Sequence, residues 1–186
     1  MTRSLVTLRD ATVADVPQLA ELWQPFLRRG TDEQLLDVAT AIEQLGDRPG
    51  ERLVVAEYDG EFAGAVFLRA ATYSPVNPEP VLQAHNAMVV PSHRHRGVGK
   101  ALMDSAVTWA EELGIGHVGT ATSSGSREAN RFMARLALGP QAVLRMAPTP
   151  AVRSKLAARY PAARQMTQVL AVRRSLRHAR SVSSTR

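Results

Sequence analysis

Residues 89–102 read VVPSHRHRGVGKAL, with an apolar run before them and a long amphipathic pattern after them. This pattern predicts a strand, a glycine-rich turn and the start of a helix. Glycine permits positive φ angles and a close approach of ligand to backbone. The first amides of a helix lack partners inside the helix and lie at the positive end of its dipole. With Arg94, Arg96 and Lys100 around it, the turn is predicted to hold an anionic group such as a pyrophosphate.

The composition indicates a folded globular protein without cysteine chemistry. The chain has 186 residues, 45% of them hydrophobic, which is enough to build one domain with a substantial core. It contains no cysteine, and this excludes disulfides, thiolate zinc sites and cysteine nucleophiles. The N-terminal apolar run is too short for a signal peptide, and no run approaches the ~20 residues of a membrane helix. We therefore expect a cytoplasmic protein without a membrane partner.

The net charge of +6 is distributed unevenly along the chain. All 17 acidic residues precede residue 129, whereas nine of the 23 basic residues follow residue 150. The sequence therefore predicts one domain over residues 1–172 and a flexible basic tail over residues 173–186. A solvated tail is the preferred interpretation. Contact with a partner subunit, as in a homodimer, and binding of nucleic acid or ribosomes through phosphate neutralisation are the alternatives.

Hydrophobic periodicity predicts alternating strands and helices, with a hairpin at Asp59-Gly60. Trp23 and Trp109 fall on apolar helix faces and are expected in the core. The three prolines in residues 73–80 predict a loop. The order implies an α/β fold in which a mixed sheet has helices on both faces. Strands are predicted at about 5–8, 52–58, 61–68, 81–90, 117–121, 141–146 and 168–172. Helices are predicted at about 17–27, 31–45, 98–113, 127–138 and 148–158.

The hexapeptide at residues 94–99, RHRGVG, fits the pattern of Arg or Gln, two residues, Gly, one residue, Gly or Ala. Pro91 lies at the expected turn, and a later helix at 129–136 follows at a suitable distance. Over roughly residues 5–146 the chain resembles the GNAT superfamily of acyl-CoA-dependent N-acetyltransferases. The resemblance implies a GNAT-like, mostly antiparallel sheet. It also implies acetyl-CoA as the acetyl donor, coenzyme A as the product and no metal.

The same resemblance implies which residues hold the cofactor. Backbone amides of the turn would bind the pyrophosphate, and strand backbone would bind the pantetheine arm. Ser126 and Asn130 either form hydrogen bonds to the cofactor or only cap the later helix. The implied cofactor-binding residues are Met88, Val89, Arg94, His95, Arg96, Gly97, Val98, Gly99, Lys100, Ser126 and Asn130.

The chain departs from the family pattern at three places. Ser126 stands where an Asn is common, Met133 where a Tyr is usual, and Ala137-Leu138 where Gly-Phe is usual. Because methionine cannot donate a proton, the usual general acid is missing. A thiol pKa near 8.5 makes the thiolate a tolerable leaving group without an acid.

His85 and Glu57 are the candidate catalytic residues. Strand alternation predicts that His85 shares a face with Val89, close to the thioester if a β-bulge opens there. Its ordinary pKa near 6.5 suits a general base, although a surface histidine is the alternative. Glu57 on the hairpin could bind a cationic substrate or deprotonate it through water; a solvated strand end is its alternative. His93 and His95 are expected to line the turn or face solvent.

We therefore expect an N-acetyltransferase that moves an acetyl group to a primary amine by direct attack in a ternary complex. The acceptor is a small-molecule or protein amine that the sequence does not name. One alternative is a non-catalytic acyl-CoA-binding or regulatory module, motivated by Met133. Another is a nucleic-acid- or ribosome-associated protein that uses its basic tail. No aromatic residue follows Tyr160, which weakens the case for single-strand recognition.

Overall fold

The computed structural model describes residues 5–123 and 125–158. The chain divides into two compact units, residues 1–139 and residues 140–186. The predicted strand at 168–172, the domain boundary at 172 and the tail at 173–186 lie outside the described residues. The strands are β1 Val6–Asp10, β2 Glu51–Tyr58, β3 Glu61–Ser74, β4 Asn77–Val89 and β5 Val118–Thr120. The helices are α1 Val16–Trp23, α2 Thr31–Glu43, α3 Val98–Glu112, α4 Arg127–Arg135 and α5 Thr149–Ala158.

The five strands form one sheet in the order β1-β2-β3-β4-β5. Strands β1 to β4 pair antiparallel, and β5 pairs with β4 in parallel. The β2–β3 turn has positive φ angles at Asp59 (54°) and Gly60 (82°), as a two-residue hairpin turn requires. These findings confirm the predicted hairpin and the mixed, mostly antiparallel α/β fold.

The two faces of the sheet bury two separate apolar clusters. On one face, Leu19 and Trp23 of α1 and Val38 of α2 pack on the sheet, with Val55 beneath them. On the other face, α3 and α4 cover the alternate residues of the same strands; this cluster includes Val54, Val66, Leu68, Leu102, Trp109 and Met133. Burying each large apolar side chain contributes roughly 1.5–3 kcal/mol. Helices on both faces and buried tryptophans are therefore confirmed.

The predicted loop at residues 73–80 is wrong. Strand β3 continues to Ser74 and β4 begins at Asn77, with Thr72 opposite Pro80. The prolines are tolerated because the register of this pair shifts between Thr72 and Ser74, and proline fits strand ends and bulges. The result is a long β3–β4 hairpin in place of a loop.

The predicted strand at 141–146 is also wrong. These residues have no regular secondary structure, and Val143, Leu144 and Met146 are exposed. A strand needs a hydrogen-bonded neighbour, and the described part of residues 140–186 contains no other strand. The short helix predicted after Pro148 is confirmed as α5. No helix in residues 5–123 and 125–158 is both long enough and apolar enough to cross a membrane.

Candidate functional site

The turn between β4 and α3 leaves the first amides of α3 available. His95 (φ 61°) and Gly97 (φ 88°) both adopt left-handed backbone conformations, which bring the chain sharply round into the helix. Gly97 is the N-cap and has no side chain to accept a hydrogen bond from the helix. The first backbone bond of the helix runs from Ala101 N to Gly97 O, at 3.0 Å. The N–H groups of residues 98–100 therefore form a site suited to an anion.

Four basic side chains surround these amides. Arg94 Nη1 lies 3.7 Å from Glu128 Oε2, and His95 Nε2 lies 3.5 Å from the other oxygen of the same carboxylate. The Arg96 guanidinium lies over the Tyr58 ring, 5.1 Å from its centroid. The fourth, Lys100, is exposed at the start of α3. The structure thus brings the predicted turn residues together and joins them to α4 through Glu128.

His93 is buried beneath the turn, against Tyr58 of the β2–β3 hairpin. It is only 8% exposed, and its ring centroid lies 5.6 Å from that of Tyr58. Nε2 lies 3.5 Å from Glu61 Oε2, while Nδ1 is buried and has no partner among the described residues. Because Tyr58 contacts His93 and Arg96, the β2–β3 hairpin fixes the position of the turn.

Strand β4 loses its β5 neighbour before it reaches the turn. The β4–β5 pairing ends at Ala84 and Thr120, where Thr120 Oγ1 donates a hydrogen bond to Ala84 O at 2.8 Å. Beyond this point no described strand pairs with that edge of β4. The backbone near Met88 and Val89 therefore lies at an open edge that continues into the turn, as the pantetheine prediction requires.

A β-bulge interrupts the other edge of β4. Phe67 pairs with His85 and Ala65 pairs with Met88, so β4 has one more residue than β3 in this interval. The extra residue lies at 86–87, and Asn86 has a positive φ of 51°. The bulge that the His85 hypothesis invoked is present.

Gly64 lets β3 approach β4 directly after this bulge. A Cβ atom at Gly64 would collide with Met88 O and lie 3.2 Å from Val89 Cα. Both contacts are backbone atoms that cannot move aside without shifting the strand. Any larger residue here would push β3 away from the strand segment that is predicted to bind the cofactor.

The bulge also overturns one prediction about His85. Before the bulge, Ala84 packs on the α3 face; after it, Ala87 and Val89 do so. His85 lies on the opposite face, beside α1 and α2. The prediction that His85 and Val89 share a face is wrong because one extra residue inverts the alternation of side chains.

His85 lines a pocket of about 310 Å³ between the sheet and the first two helices. Burial lowers its pKa, and the Arg69 guanidinium lowers it further, against a smaller opposing effect of Glu51. His85 Nε2 lies 3.1 Å from Gln83 Oε1. An amide oxygen only accepts, so in the tautomer that donates from Nε2 to this oxygen the lone pair lies on Nδ1. The pocket is lined by Trp23, Leu27, Asp37, Val38, Ala41, Phe67, Arg69, His85 and Asn86.

Trp23 connects helix α1 to the bulge. Its Nε1 donates a hydrogen bond to Asn86 O at 2.9 Å, so the indole both fills the core and holds the carbonyl of the bulged residue. The sequence predicted only the core role. The one available signal was Asn86, since asparagine tolerates positive φ better than most residues.

Glu57 lies in an ion pair and is absent from the pocket lining. It accepts from Arg9 Nε at 2.6 Å, and Thr7 Oγ1 lies 3.4 Å away. Arg9 also forms two 2.7 Å bonds to Asp15, which is 5% exposed. The hydrogen bonds from Arg9 hold the pKa of Asp15 below its ordinary value. This network joins β1, β2 and the start of α1, and it engages the Glu57 carboxylate.

Ser126 and Asn130 both hold the segment that precedes α4. Ser126 Oγ accepts from Ala129 N at 3.3 Å as the N-cap. Asn130 Nδ2 donates to Ser123 O at 3.0 Å and to Ser126 O at 2.6 Å. Capping is therefore observed for Ser126, whereas Asn130 binds two carbonyl groups of the preceding turn; a contact of either residue with a cofactor stays a prediction.

Two departures from the family pattern have clear places in the structure. Met133 is 7% exposed and packs in the core between α3, α4 and the sheet. Ala137 has a positive φ of 62° at the place where the family usually has glycine. Within residues 5–123 and 125–158, no group of three or more His, Asp or Glu side chains could hold a metal ion. The absence of a metal stays a prediction.

A comparison of the sequence with models of protein families also assigns the chain to a family. The model of the Acetyltransferase (GNAT) family matches residues 16–138, which include α1, the whole pocket and the turn. The chain belongs to the GNAT acetyltransferase family. A comparison with curated proteins gave no match.

Solved structures share the GNAT fold with this chain. A transcriptional regulator from Bacillus halodurans has a TM-score of 0.67 at 20% identity, covering 77% of this chain and 99% of that one. An aminoglycoside N-acetyltransferase in complex with CoA has a TM-score of 0.64 at 20% identity, covering 80% and 98%. Glucosamine-6-phosphate N-acetyltransferase from Arabidopsis thaliana has a TM-score of 0.60 at 17% identity, covering 77% of this chain and 98% of that one. At these identities the likeness establishes the fold alone.

Proposed function

We propose that this protein transfers an acetyl group from acetyl-CoA to a primary amine by direct attack in a ternary complex. One observation carries the proposal: the open edge of β4 continues directly into the uncapped N-terminus of α3. An arm with amide groups can pair with such an edge, and a pyrophosphate can bind such a terminus. We expect the protein to act in the cytoplasm, on a small-molecule or protein amine.

The donor would be held mainly by backbone groups. Backbone at Met88 and Val89 would pair with the pantetheine arm, and the amides of residues 97–100 would donate to the pyrophosphate. Hydrogen bonds to a charged group contribute roughly 1.5–3 kcal/mol each. Arg94, Arg96 and Lys100 add charge that steers the anion to the turn. When bound, acetyl-CoA supplies the activated thioester.

His85 would take the proton that the ammonium must lose before it attacks. Its lowered pKa favours the neutral imidazole at pH 7, and donation from Nε2 to Gln83 Oε1 would leave the Nδ1 lone pair for the proton. A positioned base of this kind contributes typically 10²–10⁴-fold to rate. Because Asn86 of the bulge adjoins His85, the base lies beside the strand segment that would bind the pantetheine. Glu57 is the second candidate, acting through water if its ion pair with Arg9 opens.

A non-catalytic acyl-CoA-binding module is the competing function. It is favoured by one observation, the burial of Met133 where the family usually has a tyrosine acid. The two functions share the donor site and differ in turnover. The nucleic-acid alternative depends on residues outside the described part of the chain.

The test measures CoA release from acetyl-CoA with a panel of primary amines, each paired with its N,N-dimethyl analogue. We expect release with primary amines only. The chain's two lysines provide a matched pair of variants: Lys100→Gln should raise the KM for acetyl-CoA roughly fivefold, and Lys155→Gln should leave it unchanged. Thermal stabilisation by acetyl-CoA without turnover would identify the binding module. No stabilisation at all would refute the donor site.

A further inference from the structure

The size, lining and charges of the pocket at His85 indicate a class of acceptor. We infer that the acceptor is a small primary amine with an apolar body, such as an arylalkylamine or a branched alkylamine. This inference rests on the proposed function, because it assigns the pocket to the acceptor of the same reaction. The pocket volume, its lining, its charges and the position of His85 support it.

Size and lining favour a small apolar molecule. A volume of about 310 Å³ lies at the lower end of pockets that bind small molecules. Five of the nine lining residues are apolar, and two of these, Trp23 and Phe67, are aromatic. Trp23 and Val38 belong to the buried core of this face, and Phe67 packs against it, so the apolar wall is fixed by packing.

The charged residues of the pocket are already paired. Asp37 accepts two hydrogen bonds from Arg28, at 2.6 and 2.7 Å. Arg69 lies 3.4 Å from Glu51. A polycationic acceptor would need several free carboxylates, and a sugar phosphate would need free cations. Neither is available here unless one of these pairs breaks.

The polar groups indicate how the acceptor is oriented. His85 and Asn86 lie on β4 at the bulge, whereas Trp23 and Val38 come from the helices. The amine nitrogen would lie near His85 Nδ1, and the apolar body would contact Trp23, Val38 and Phe67. This orientation directs the nitrogen toward the strand segment predicted to bind the donor.

The first experiment measures kcat/KM for a graded set of amines with saturating acetyl-CoA. The value of kcat/KM should rise by about fourfold per added carbon until the pocket is full, as expected for apolar burial. The series is ethylamine, propylamine, butylamine and isoamylamine. Phenethylamine and tryptamine should exceed spermidine, kanamycin and glucosamine 6-phosphate by at least tenfold. A preference for any of these last three would overturn the inference and leave the proposed function intact.

The second experiment narrows the pocket. Ala41→Leu places a larger side chain in the lining of α2, and Ala39→Leu makes the same change on α2 outside the lining. We expect Ala41→Leu to reduce kcat/KM for phenethylamine at least tenfold more than for ethylamine, with the KM for acetyl-CoA unchanged. Ala39→Leu should behave like the wild type. Equal losses for the two amines with Ala41→Leu would contradict the inference, provided that its melting temperature matches that of Ala39→Leu.

Binding separates this inference from the proposed function. If no amine causes CoA release, the proposed function fails, and the pocket is then judged by the binding of phenethylamine to the CoA-saturated protein. Ligand-observed NMR should show binding to the wild type and to Ala39→Leu, and weaker binding to Ala41→Leu. Absence of binding to the wild type, or equal binding to all three, overturns the inference.

Discussion

The turn at residues 94–100 and the pocket at His85 lie on the two faces of one sheet, and they are built from different material. The turn uses backbone amides from consecutive residues, surrounded by exposed basic side chains. The pocket uses side chains from α1, α2, β3 and β4, several of them fixed in the core. A backbone site tolerates changes in its side chains, whereas a side-chain site depends on each of its members. We therefore expect substitutions in the pocket to have larger effects than substitutions around the turn.

The largest effect is expected at His85, the proposed general base in the pocket. His85→Ala should lower kcat by about 10²-fold or more, while stabilisation by acetyl-CoA is retained. The pKa of His85 is lowered, so the wild type should keep its base form at pH 6.5 and lose kcat/KM only as the pH falls below that value. His85→Gln should lose this acid limb of the pH profile. If the acid limb is unchanged in His85→Gln, another group must act as the base, and Glu57 is the next residue to test.

A smaller effect is expected where the pocket meets the bulge. Trp23→Phe keeps the aromatic packing and removes the hydrogen bond to Asn86 O. A loss of about 1 kcal/mol corresponds to a fall in kcat/KM for the amine of roughly fivefold, with the KM for acetyl-CoA unchanged. Trp109→Phe, on the other face, serves as the control and should change only the melting temperature. If both variants reduce kcat/KM equally, the indole bond has no role in positioning the bulge.

The turn should respond more weakly. Glu128→Gln frees Arg94 and His95 from a carboxylate that competes with phosphate, so the KM for acetyl-CoA should fall about twofold at low salt. The gain should disappear at high ionic strength, because exposed pairs are screened. Glu112→Gln, at the far end of α3, is the control. A rise in KM would show instead that Glu128 holds the turn in its binding geometry.

The smallest effect on catalysis is expected at the end of α4. Ala137 adopts a left-handed conformation that costs an L-residue roughly 1–2 kcal/mol. Ala137→Gly should therefore stabilise the fold by about 1 kcal/mol, which corresponds to about 2–4 °C in melting temperature, with kcat unchanged. Ala134→Gly inside α4 should lose about 1 kcal/mol. Destabilisation by both variants would show that Ala137 makes contacts that outweigh its backbone strain.

The sequence predicted those parts of the molecule that are local along the chain. The strand-turn-helix around Gly97 and the Asp59-Gly60 hairpin each follow from a few adjacent residues. The β3–β4 hairpin was missed because its prolines indicate a loop, and only the pairing of the strands shows that they are tolerated. The strand predicted at 141–146 failed because an apolar run does not specify a neighbour to pair with.

The pocket could not be predicted from the sequence, for a related reason. Its lining comes from four separate elements, and nothing local associates Asp37 with Phe67 or Trp23 with Asn86. The histidine was found from its chemistry, but its face was predicted wrongly. Strict alternation assumes an uninterrupted strand, and the extra residue at 86–87 is visible only once β3 and β4 are paired.

The bulge also determines which changes in chain length this enzyme family member can accept. Deleting one residue between His85 and Met88 would remove the bulge and restore unbroken alternation, with Phe67 still opposite His85 and Ala65 still opposite Met88. Val89 and the turn would then keep their present faces of the sheet, and the change would fall on the Asn86 carbonyl to which Trp23 Nε1 donates. A deletion in the β3–β4 turn at residues 75–76 only shortens a hairpin. A single lost codon at the bulge would therefore alter the pocket beside Trp23 and spare the turn.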